Sequence, residues 1–379
     1  MLVFDETNRQ WADEVFQRIE SKMEITVRRS TGIIPYRTEN GRFENMAEKN
    51  ICWWTNGFWE GLLWLLYDRT NKDLYRTAAE EGEEMLDGAF AQYSRLHHDV
   101  GFLWQLSAGL DYKITGNGQS RLRALYAATL LMSRFNLAGG YIRAWNDYPD
   151  ENTSGWAIID SMMNLSILYW ASEELGDARF ARVARAHANK TMEHHMRQDG
   201  SAKHIVIYDP ESGEELGEDG GQGYSIGSSW SRGQAWALYG FLISYKHTGQ
   251  REYLDISKRA ANYFISNVWQ DWLPRCDFRG PKEPVIYDAS AGAIAACGLL
   301  ELAKTLPREE GAVYQEAALC MLREMERHFC NWDPETDGIL YYGSINYKEE
   351  EGRNRYLVCS DFFFTQAILT VLGSKLEIW

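Results

Sequence analysis

Ser161-Met162-Met163-Asn164-Leu165-Ser166-Ile167-Leu168-Tyr169-Trp170 is apolar on nearly every side, whereas Arg179-Phe180-Ala181-Arg182-Val183-Ala184-Arg185-Ala186-His187 is apolar on one side only. A helix that is hydrophobic all round has to be buried, while an amphipathic one belongs at a surface. Ser161–Leu175 and Arg179–His195 therefore read as a helical hairpin with an inner and an outer member. The unit recurs as Gly57–Asp68 with Leu74–Met85, Val100–Ile114 with Arg121–Phe135, Gly233–Thr248 with Tyr253–Val268, and Ala289–Leu306 with Tyr314–Phe329. Phe362–Leu372 supplies a sixth inner helix. Trp11–Val27 is its outer partner, so the two ends of the chain close a ring.

Such an alternation describes either an open α-solenoid or a closed (α/α)6 barrel. Solenoid repeats keep a fixed period. Here the spacing varies from roughly 45 to 70 residues, because long segments such as His204–Ser229 intervene. The expected fold is all-α, a single (α/α)6-barrel domain over residues 1–379. Composition agrees: there are 8 prolines where average usage would give about 19, and few prolines suit long helices.

A net charge of −15 argues against nucleic acid, which selects basic faces. It does not exclude an anionic small substrate, because a few local arginines and histidines override the global sign. The 15 tryptophans, 21 tyrosines and 15 phenylalanines fill a core or stack against sugar rings. Six cysteines (Cys52, Cys276, Cys297, Cys320, Cys330 and Cys359) show no zinc or C-x-x-C spacing and read as free thiols of a reducing compartment. The N-terminal residues lack basic and apolar signal regions. The uncharged stretches Ala289–Leu300 and Phe362–Ser374 are short for a bilayer. A cytoplasmic protein is expected, without membrane or nucleic-acid partners, as a monomer or weak homo-oligomer.

A polar residue stands at the head of each inner helix: Asn56, Asp99, Asp160, Arg232, Asp288 and Asp361. Helix capping is the competing reading for the acids and the asparagine. In a barrel, however, all six heads share one mouth. Asp160 lies among apolar residues, where burial and a neighbouring Asp99 raise its pKa and the helix N-terminus lowers it by a smaller amount. The sum favours a readily protonated acid, as a proton donor requires. The adjacent His97 and His98 do not share a helical face, so no metal site is expected. Gly220-Gly221-Gln222-Gly223 matches neither phosphate-loop spacing, so no nucleotide is expected. Arg232 between Trp230 and Trp236 suits a carboxylate on an aromatic-walled sugar, the alternative being an arginine paired with a structural acid.

Together, Trp53-Trp54-Thr55-Asn56-Gly57-Phe58-Trp59, His98-Asp99-Val100-Gly101-Phe102, Ile159-Asp160 and Ser229-Trp230-Ser231-Arg232-Gly233-Gln234-Ala235-Trp236 resemble the unsaturated glucuronyl hydrolases, glycoside hydrolase family 88. The resemblance spans nearly the whole chain and implies an (α/α)6 barrel that uses no cofactor. Its implied substrate is a lyase-generated glycosaminoglycan oligosaccharide (chondroitin, hyaluronan or heparin) ending in a Δ4,5-unsaturated uronic acid. It assigns Asp160 as the acid and then the base for water, with Asp99 holding sugar hydroxyls and tuning Asp160. It places His204, Gln222 and Arg232 around the carboxylate and water, and Trp54, Trp145 and Trp236 as stacking walls. His98 and Trp230 lie within its motifs and count with the substrate-binding residues. Ser344, Asn346 and Lys348 correspond to a loop that binds sulfate in some members, although Asn346 replaces a serine. The remaining alternatives are an unsaturated rhamnogalacturonyl hydrolase, another barrel glycosidase or epimerase, and a non-catalytic helical scaffold.

Overall fold

The computed structural model of the chain describes residues 4–147 and 151–379. Its inner layer is α3 (Phe58–Thr70), α5 (Val100–Leu106) continued by α6 (Ala108–Thr115), α8 (Ser161–Asn164) continued by α9 (Ser166–Leu175), α11 (Ser231–Thr248), α13 (Ala289–Thr305) and α15 (Val358–Val371). The outer layer is α1 (Glu6–Arg29), α4 (Asp73–Phe90), α7 (Gly118–Ser133), α10 (Ala178–His194), α12 (Arg251–Val268) and α14 (Arg308–Phe329). The hairpins expected from the sequence are present, and the ring closes. Each inner helix contacts the next, from α3 to α5, α8, α11, α13 and α15, and α15 packs back onto α3. Helix α1 covers α15 from outside, which makes the two ends of the sequence one hairpin.

The burial pattern explains the layers. Ser231 through Ser244 of α11 are all buried, whereas α12 buries one stripe through Tyr253, Ile256, Ala260 and Phe264. Two glycines allow the inner helices to touch. A Cβ at Gly240 would lie 2.5 Å from the Met162 side chain, and one at Gly101 would lie 2.6 Å from Asn164 Oδ1.

The segment His204–Ser229 is less irregular than its composition suggests. β6 (Ile205–Tyr208) pairs antiparallel with both β5 (Trp156–Ile158) and β7 (Glu215–Asp219), forming a small sheet between the helices. An apolar run of four residues with β-branched members favours a strand. No described helix is long and apolar enough to cross a membrane. The tail contributes Trp379, whose ring is parallel to Phe363 at 6.1 Å and also meets Phe102 and Tyr239.

Candidate active site

Of the six helix heads, Asp99, Asp160 and Arg232 line one cavity, whereas Asn56, Asp288 and Asp361 do not. The cavity has a volume of about 460 Å³, and its walls include Trp53, Trp54, His98, Asp99, Trp145, Asp160, Gln222 and Arg232. Asp99 and Asp160 both occupy N-cap positions, yet neither side chain caps its helix. Capping therefore does not account for either acid. It does account for Asp288, which accepts from Ser290 N at 3.1 Å. Asp361 is turned away, accepting the amides of Ile339 and Leu340 at 3.0 and 2.8 Å. Asn56 is buried and donates to the carbonyls of Asn50 and Ile51, where it braces the turn ahead of α3.

Asp99 and Asp160 are joined by a residue that the sequence did not single out. Asn164, one turn after Asp160, donates Nδ2 to Asp99 Oδ1 at 3.1 Å and to the Asp160 carbonyl at 3.2 Å. The only hint was a lone asparagine in an otherwise apolar helix. Burial raises the Asp99 carboxyl well above the usual carboxylate range, and the Asp160 charge adds to the shift. Two carboxylates in one desolvated site resist double ionisation, and here it is Asp99 whose protonated form is favoured.

Two histidines flank the pair. Burial lowers the pKa of His98 well below its ordinary value, so the ring is neutral. Its Nδ1 lies 3.0 Å from the Ala144 carbonyl, which only accepts and so fixes the proton there. The Nε2 lone pair then faces Asp99 Oδ1 at 3.2 Å. His204 Nδ1 lies 3.1 Å from the Gln222 amide, which donates to it, and 3.3 Å from the Gly220 carbonyl, while its Nε2 faces Asp160 Oδ1 at 3.6 Å. Trp230 packs on His204 with ring centroids 4.3 Å apart.

One ring nitrogen each of His97 and His98 and an Asp99 oxygen lie within 4.8 Å of one another, closer than helical spacing led us to expect. His97 and His98 precede α5, so the i, i+4 rule does not govern them. The cluster is internally engaged, because His97 Nδ1 takes the Asp99 amide at 3.4 Å. We read it as support for Asp99.

The expected substrate-binding residues divide. Trp54 and Trp145 are half-buried and line the cavity, with Trp145 edge-on to His98 at 5.7 Å. Gln222 lines it too, its amide donating to Ile345 O at 2.7 Å. Trp236 is a correction. It is fully buried against Phe102 and Phe363 and offers no face to a sugar. Arg232 also departs from expectation. Nη1 engages Asp288, Ser290 Oγ and the Ser344 carbonyl, and Nη2 the Ile345 carbonyl, at 2.6–2.8 Å. Its guanidinium rests on Trp230 at 4.5 Å. The structural-acid alternative therefore holds for Arg232, and its fork is not free for a carboxylate. Trp230 lies beneath His204 and Arg232 rather than on the cavity wall.

Ser344 is buried and donates its hydroxyl to Tyr287 O at 2.7 Å, so it cannot serve a sulfate. Asn346 Oδ1 caps the turn at Glu349 N, and Lys348 is exposed. None of the three lines the cavity.

No protein-family model matches the chain. The chain is 36% identical over 331 residues to the unsaturated glucuronyl hydrolase of Bacillus sp. strain GL1, across 86% of this chain and 88% of that protein. It is 33% identical over 323 residues to the unsaturated chondroitin disaccharide hydrolase of Streptococcus pneumoniae, across 83% of this chain and 81% of that one. The crystal structure of the Bacillus enzyme, described as responsible for the degradation of glycosaminoglycan, matches at TM-score 0.89 and 32% identity, covering 94% of this chain and 96% of that chain. A Streptococcus agalactiae unsaturated glucuronyl hydrolase variant complexed with dGlcA-GalNAc6S matches at TM-score 0.84 and 27% identity, covering 98% and 94%. With identity at this level over most of both chains, and the same barrel, the chain belongs to the unsaturated glucuronyl hydrolase family.

Proposed function

We propose that this chain releases the Δ4,5-unsaturated uronic acid from the non-reducing end of glycosaminoglycan oligosaccharides left by polysaccharide lyases. The observation that carries this reading is the Asp99–Asp160 pair lining an aromatic-walled cavity, with neither carboxylate used as a helix cap. The kinship with enzymes named for unsaturated glucuronyl and chondroitin disaccharide substrates supports the choice of sugar.

In the proposed reaction Asp160 delivers a proton to C4 of the enol ether, and the positive charge that develops at C5 is shared by the ring oxygen. Water adds to C5 and returns its proton to the Asp160 carboxylate. The C5 hemiketal then opens to a ketone, and the freed hemiacetal at C1 expels the remaining sugar as an alcohol. One water is consumed, and no acid assistance at the glycosidic oxygen is needed. Asp99, with its raised pKa, keeps a proton within the pair as the anionic substrate arrives. His204 Nε2 stands beside Asp160, where it can orient the incoming water. Trp54 and Trp145 are the stacking faces. The six free cysteines support a reducing, cytoplasmic setting.

The test is optical. Unsaturated chondroitin and hyaluronan disaccharides should lose their ultraviolet absorbance with the wild-type protein, and Asp160→Asn should stop this by at least about a thousandfold while the protein stays folded. Persistent absorbance with every unsaturated glycosaminoglycan disaccharide would overturn the reading.

A further inference from the structure

On the cavity wall Arg232 is paired with Asp288, and Lys348 does not reach the wall, yet a second cation does. Arg95, on the 3-10 turn Tyr93–Arg95, lines the same cavity as Asp99 and Asp160. Its guanidinium is held by two neutral oxygens, Gln92 Oε1 at 2.9 Å and Asn50 Oδ1 at 2.8 Å. Among the described residues no carboxylate lies within ion-pair distance of it. Asn50 is itself fixed, since the same oxygen accepts the Cys52 amide at 3.2 Å.

The turn is held from below. Asn146 Nδ2 donates to the carbonyls of Ser94 and Leu96 at 2.7 and 2.9 Å, and Asn146 Oδ1 accepts from Arg134 at 2.9 Å. Arg134 likewise bonds only neutral groups, the remainder being the carbonyls of Leu96, Arg143 and Ala144. Among the described residues of the cavity wall on this side, the acid Asp147 is committed to Arg143 at 2.6 Å and to the Thr153 amide at 2.9 Å. A chain of net charge −15 thus presents, on the wall of its acid-bearing cavity, a pre-positioned guanidinium with no carboxylate partner among the described residues.

Resting on the reaction class above, we propose that Arg95, oriented by Asn50 and Gln92, is an anion-binding subsite for the sugars beyond the cleaved uronate. The ligand chemistry is a tetrahedral or planar oxyanion, supplied by a sulfate ester on the adjoining hexosamine or by the carboxylate of the next uronate. A guanidinium presents paired donors suited to both. A contact to the sugars beyond the cleaved uronate touches neither C4 nor C5, so it binds ground state and transition state alike and acts on KM.

Initial rates of absorbance loss on three substrates separate the cases: an unsulfated unsaturated disaccharide, its hexosamine-sulfated form, and an unsulfated unsaturated tetrasaccharide. Arg95→Gln should raise KM on an anion-bearing substrate about tenfold more than on the unsulfated disaccharide, with kcat held within about twofold, and added salt should shrink the difference. The sulfated and tetrasaccharide arms show which anion is read. Lys348→Ala should keep the wild-type pattern. An equal effect of Arg95→Gln on all three substrates, or discrimination that resides in Lys348, overturns the subsite while leaving the reaction class intact. A wild-type protein inactive on all three removes the reaction class, and the subsite with it.

Discussion

The Asn164 side-chain amide donates to Asp99 Oδ1 at 3.1 Å and to the Asp160 backbone carbonyl at 3.2 Å, so one residue ties together the two helix heads that carry the acids. Its own oxygen accepts the Phe102 amide at 2.7 Å, which fixes the first turn of α5. Because α5 and α8 approach closely at Gly101, a larger side chain at position 164 has no room, whereas alanine fits. Asn164→Ala should lower kcat about 10- to 100-fold, part of the 10²–10⁴ that positioned acid–base groups contribute. The bond to Asn164 favours ionised Asp99, so its removal raises that carboxyl further. The pH–rate limb that reports the pair should therefore move to higher pH. A variant that folds, keeps its kcat and shows an unmoved pH profile would sink this role.

Trp236 and Trp145 give opposite predictions although both were expected to stack on sugar. Trp236 is wholly enclosed, with Phe102 and Phe363 at 5.2 and 5.6 Å. Trp236→Ala should cost about 3–5 kcal/mol of stability, the usual penalty for emptying a large aromatic site. Trp145→Ala, at the half-exposed cavity wall, should cost much less stability and raise KM. Thermal unfolding and saturation kinetics on the two variants decide the matter. If Trp236→Phe folds normally and raises KM as Trp145→Ala does, the assignment to the core is wrong.

The barrel was legible because its signal is repeated: six apolar helices each followed by an amphipathic one, too irregular in spacing for a solenoid. Asp99 and Asp160 were legible because both head such helices. What the sequence could not show were pairings between distant segments. Arg232 meets Asp288 and the carbonyls of Ser344 and Ile345, all far along the chain, and nothing local distinguishes an arginine sealed in this way from one awaiting a ligand. Trp236 failed for a related reason. It lies one turn inside α11, where the helix has already left the mouth, and proximity in sequence to Arg232 does not place it on the wall. Arg95 and Asn146 sit in turns without any motif, and only the folded cavity brings them beside the acids.

A second group of buried acids, outside the cavity, sets how stability depends on pH. Glu60 is wholly buried with both carboxylate oxygens unpartnered, and burial raises its pKa well above the ordinary value, with the Glu83 charge adding to the shift. Burial likewise pushes Glu83 up to about 7, against the opposing pull of Ser120 and Arg123. A carboxyl raised in this way favours the folded state while it is protonated. Its contribution is fully present below the unfolded pKa near 4.5 and is lost as pH rises through the folded value, for Glu83 about 7. For Glu83 alone this amounts to about 3 kcal/mol between pH 4.5 and 8, at 1.36 kcal/mol for a tenfold change in proton affinity. Glu60→Gln removes one charge from the cluster at nearly constant volume. The melting temperature of the wild type should fall from pH 5 to pH 8. In Glu60→Gln that fall should be smaller, and the variant should equal or exceed the wild type at pH 8. A larger fall in Glu60→Gln than in the wild type would mean that ionised Glu60 is stabilised, and the electrostatic account of this cluster would fail.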